Sequence, residues 1–72
     1  MNILENDFAR ANAAYRNAQS DFLIAATKAA NSPTDRNWAA ADKAFQTQWV
    51  ASVAADKAAQ AMHNFAYQTA YA

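Results

Sequence analysis

The 72-residue chain sets six Lys and Arg against six Asp and Glu, and it contains no Cys, no Gly and 22 Ala. A chain this short makes one domain with a small core, and without Cys neither a disulfide nor a thiolate metal site can support it, which leaves oligomerisation. Zero net charge gives no field that would steer it to DNA or anionic lipid, while abundant Ala without Gly favours helix over tight β-hairpins.

Met1-Asn2-Ile3-Leu4-Glu5 lacks a basic stretch followed by an apolar one, so no signal peptide is expected. Asn2 with Glu5 three residues on approximates a capping box, and the spacing predicts a first helix over about 3–30. Along it Leu4, Phe8, Ala11, Tyr15, Ala18, Phe22, Ala25 and Ala29 recur at alternating steps of four and three, a heptad seam in which large residues alternate with Ala.

Asn31-Ser32-Pro33-Thr34-Asp35 is the one strong break. Ser32 suits an N-cap, Pro33 the first helical position and Asp35 the first turn, while Asn31 suits a left-handed end to the preceding helix. A second helix is predicted over about 33–70, antiparallel to the first because the connection is short.

On the second helix one face gathers Trp38, Ala41, Phe45, Trp49, Ser52, Val53 and Ala59, running on to His63 and Tyr67. The simplest reading makes Trp38, Phe45 and Trp49 core, together with Phe8 and Phe22 of the first helix. The segment Ala40-Ala41-Asp42-Lys43-Ala44 recurs as Ala54-Ala55-Asp56-Lys57-Ala58, fourteen residues or two heptads later. Asp42 and Asp56 thereby flank the stripe at equivalent positions, as solvated edges or as charges that set register.

The predicted helices differ in length, roughly 42 Å against 57 Å at 1.5 Å per residue. The end of the second therefore overhangs the first, although from Ala58 to Ala72 it carries no Lys, Arg, Asp or Glu. Met62, Phe65, Tyr67 and Tyr71 lie there on several faces, and Ile3, Ile24 and Val50 fall off the seam. One hairpin cannot cover so much apolar surface. The expected state is a homodimer with a coiled-coil-like four-helix core.

No catalytic apparatus is legible. His63 is the one available base and imidazole ligand, and Asp56 lies seven residues away, roughly 10 Å along a helix. No Gly-rich loop is present to cradle a phosphate. The sequence therefore predicts no enzyme, no catalytic residue, no cofactor and no metal site. Arg10, Arg16, Lys28, Arg36, Lys43 and Lys57 are scattered rather than gathered into a basic stripe, which disfavours nucleic acid, and no run reaches the ~20 apolar residues of a membrane span.

What remains is binding. Trp and Tyr are enriched at binding hot spots, and the candidate dimer or partner surface comprises Met62, Phe65, Tyr67 and Tyr71 at the overhang with Trp38 and Arg36 near the turn. In size, absence of Cys and helical economy over its whole length, the chain resembles the small accessory proteins encoded by bacteriophages, which include anti-CRISPR proteins and other host-takeover inhibitors. That resemblance implies a small inhibitor or adaptor that docks on a larger protein in the host cytoplasm. No motif carries it, so it transfers no site residues. With Trp38 just after the turn the hairpin is also similar to the WXG family of secretion substrates, but Trp38-Ala39-Ala40 lacks the Gly and lies inside the helix. The alternatives are a self-associating structural component and a nucleic-acid-associated regulator.

Overall fold

The computed structural model describes the backbone of residues 3–71 and the side chains of residues 3–68. Two α-helices, α1 (Ile3–Asn31) and α2 (Asp35–Tyr71), form an antiparallel hairpin, the all-α architecture the composition predicts. The Asn2 end of the predicted capping box and the side chain of Tyr71 lie outside the described residues.

The stripe on α1 faces α2 as its spacing predicts. Ala18 and Ala29 are buried, while Leu4, Phe8, Ala11, Tyr15, Phe22 and Ala25 are half-buried. Phe22 meets Phe45 edge-on with ring centroids 5.5 Å apart, which fixes the register between the helices.

On α2 the face is not the expected one. The buried and half-buried positions are Asn37, Ala41, Ala44, Gln48, Ala51, Ala55, Ala58 and Met62, again in steps of four and three, with Ser52 half-buried beside them. The expected core aromatics Trp38, Phe45 and Trp49 are exposed, so α2 is turned by about one residue, roughly 100°, from the predicted setting. The physical reason lies on α1. Its Phe8, Tyr15 and Phe22 reach into the space between the helices, so the seam positions facing them are mostly Ala, with Phe45 meeting Phe22 from the edge. The internal repeat is that surface, since Ala41 and Ala44 return as Ala55 and Ala58 two heptads on. Met62, expected on another face, extends the same seam.

The buried hydrophobic residues among those described are Ala18, Ala29, Ala41 and Ala55. No large side chain among them is wholly enclosed. Gln48 interrupts the seam, and its Oε1 is buried without a hydrogen-bond partner. Such an orphan acceptor costs about 1–3 kcal/mol. Gln48→Leu should accordingly raise the stability of the hairpin by about 1 kcal/mol, read as a higher Tm or denaturant midpoint.

The turn also differs from expectation. Ser32 N–H donates to the Lys28 carbonyl at 2.9 Å, closing α1, and Asn31 remains helical with no residue at positive φ among those described. Thr34 N–H donates to the Ser32 carbonyl at 2.9 Å around Pro33, a three-residue turn that suits the fixed φ of proline. The N-cap is Thr34 rather than Ser32. Its Oγ1 accepts from the Asn37 N–H at 3.1 Å, and its carbonyl accepts from the Trp38 N–H at 3.0 Å. Asn37 Nδ2 then reaches back to the Ser32 carbonyl at 2.7 Å. Pro33 therefore precedes α2 instead of opening it. Thr34→Ala should cost on the order of 1 kcal/mol by thermal or chemical melting, and Ser32→Ala much less, because the Ser32 contacts described are made by its backbone.

Candidate protein-binding surface

The rotation of α2 that buries its alanines turns its aromatics outward. Trp38, Phe45 and Trp49 are 48%, 53% and 63% exposed. At 3.6 residues per turn they lie within about 40° of one another, and Tyr67, also exposed, falls in line with them nearer the far end of the helix. From Trp38 to Trp49 the stripe spans about 16 Å. Asp42 and Asp56 lie on the same track and are exposed. The Ser52 hydroxyl, also on this track, is satisfied by donating to the Trp49 carbonyl at 2.8 Å.

Among the described residues, a groove runs along each side of the helix pair. One is lined by Phe8, Asn12, Tyr15, Ser52, Asp56 and neighbouring alanines, and it opens on the aromatic side. The other, lined by Ala18, Asp21, Ala40, Lys43, Ala44 and Thr47, opens on the opposite side. On α1 the flank beside the first groove carries Asn12, Arg16, Gln19 and Leu23. Leu23, exposed, adds an aliphatic patch next to the Phe22–Phe45 pair.

The residues singled out from sequence divide into two regions. Trp38 and Arg36 are exposed near the turn, where Trp38 begins the aromatic stripe. Counted from the Phe22–Phe45 level, α1 starts opposite about residue 64, so Phe65 and Tyr67 fall past its end. Both are exposed and Met62 is half-buried on the seam, so these three do not share one face. Sequence reasoning missed Phe45 and Trp49 as surface residues; the repeated Ala pairs, which claim the face turned to α1, are the signal that would have released them.

The described residues contain no group of three or more His, Asp or Glu placed to hold a metal ion, and no helix among them is long and apolar enough to cross a membrane. His63 and Asp56 are both exposed. The arrangement lends itself to packing against another apolar surface. Comparison of the chain with protein-family models, with curated proteins and with solved structures finds no match.

Proposed function

We propose that the chain is a non-enzymatic protein-binding module, a small inhibitor or adaptor that lays the aromatic face of α2 on a larger protein. The observation that carries this reading is the exposure of Trp38, Phe45 and Trp49 on one side of a helix whose other side is committed to α1. Large rings left in water on a single track are costly to keep there, and Trp is the residue most often found at binding hot spots. Tyr67 at the overhang continues the same track toward the far end, whereas Phe65 and Arg36 lie about 180° and 160° around the helix from Trp38 and outside it. The place of action that goes with this reading is the cytoplasm, that of the host if the chain is phage-encoded.

Affinity capture from a bacterial lysate, followed by titration of the captured protein, tests the proposal. Trp38→Ala and Trp49→Ala should each weaken binding by about 2 kcal/mol, roughly 30-fold in Kd, while Val50→Ala on another face should not. Retention of the same partner at unchanged affinity by the double Trp variant would remove the aromatic face from the account. A second reading, self-association without a foreign target, is favoured by the amount of surface the hairpin leaves open.

A further inference from the structure

α2 carries two heptad tracks one residue apart. The alanine seam is covered by α1. The second track, Trp38, Asp42, Phe45, Trp49, Ser52 and Asp56, lies about 100° away around the helix and, apart from half-buried Ser52, is exposed. Contact tracks near a right angle are what a helix at the corner of a square four-helix bundle needs, one for each neighbour. One hairpin supplies a single neighbour. The Arg16 and Leu23 flank of α1 opens on the same side and lacks its second neighbour too.

The exposed area points the same way. The chain exposes 5644 Å², about 1,300 Å² more than a compact monomer of 7.8 kDa would. Its radius of gyration is 16.5 Å, against about 11 Å for a compact domain of this length. A standard interface hides ~800 Å² per partner and obligate dimers hide more, so the excess matches what a dimer removes.

We infer that the aromatic face is occupied by a second copy of the chain, in a four-helix bundle whose two-fold axis runs along the helices. The aromatic track of each α2 packs on the Arg16 and Leu23 flank of the other α1. Charge selects this arrangement. Two copies of α2 crossing at Trp49 would set Asp42 of each against Asp56 of the other, whereas the α1 flank brings Arg16 to a level between the two aspartates. Glu5, the acid on that flank, comes level with about residue 62, beyond both aspartates. The inference takes from the binding reading that this face is a docking surface and assigns it to a second copy, the self-association reading, in place of a foreign target.

Sedimentation equilibrium of the full chain, with thermal melts from about 1 to about 100 µM, tests it, because a dimer-stabilised fold melts higher as concentration rises. The expected results are a dimer of twice the chain mass, a rising Tm, and loss of the dimer in Trp49→Glu and Leu23→Glu but not in Val50→Glu. Since the chain has no native Cys, disulfide trapping reads the arrangement directly. An Asn12→Cys chain mixed with an Asp56→Cys chain should cross-link to a heterodimer, and this readout stands even if Trp49→Glu fails to fold. Preferential Asp56→Cys homodimers would overturn the arrangement. A monomer with a concentration-independent melt would overturn the second copy while leaving a foreign partner for the same face. A dimer indifferent to Trp49→Glu and Leu23→Glu would overturn the inference and leave the aromatic face to a foreign partner, which the Trp38→Ala and Trp49→Ala titration tests separately.

Discussion

Ala40→Pro should unfold the hairpin. Residue 40 lies in the sixth position of α2, past the first turn, where its N–H is committed to the carbonyl of Arg36. A proline there removes that bond and drives its ring into the preceding turn, at a cost of about 3 kcal/mol or more. A two-helix chain whose enclosed side chains are alanines has little stability in reserve. Far-UV circular dichroism should show most of the helix lost. The matched control is Asp35→Pro, at the first helical position, where the N–H has no intrahelical acceptor. It should keep nearly all the helicity, losing only the modest contribution of an acid at the helix start. Equal damage from the two substitutions would show that α2 does not begin at Asp35.

The second large effect separates the two faces of α2. Ala55, buried where the helices approach, has no room for a ring, so Ala55→Phe should push the helices apart and cost about 3 kcal/mol. Val50→Phe, at an exposed position off both tracks, should stay within about 0.5 kcal/mol of the parent. Chemical denaturation of the two variants decides between the settings. If the aromatics formed the seam, Ala55 would lie at its edge, and its replacement by Phe would be nearly harmless.

The parts legible in the sequence were those governed by local rules. Ala without Gly, the break at Pro33 and the unbroken four-and-three stripe on α1 lead to the hairpin and to the face α1 uses. Two features were not legible, one a choice between neighbouring caps and the other set by the partner helix. Ser32 before a proline fits an N-cap, but the chain uses Pro33 for the turn itself, so the cap passes to Thr34, with Asn37 supplying the return hydrogen bond. The clustering of large residues points to the wrong phase for α2. The phase is decided instead by the rings of α1, which demand small residues opposite. The candidate surface shows the same division. By sequence Trp38 fits both core and a partner surface, and its exposure excludes the core, whereas Phe45 and Trp49 emerge as surface only once the alanine repeat is recognised as the seam.

The central claim is that Trp38 and Trp49 lie outside the hairpin's own core and are covered by association. They are the only two Trp in the chain, so their fluorescence reports on this face alone. Acrylamide quenching across a dilution series, with the oligomeric state followed in parallel by sedimentation, measures their accessibility. The account predicts strong quenching in the dilute, monomeric hairpin and progressive shielding as the concentration rises and partners cover the track. Shielding that is already complete in a chain sedimenting as a monomer would place both rings in the intramolecular core and contradict the account.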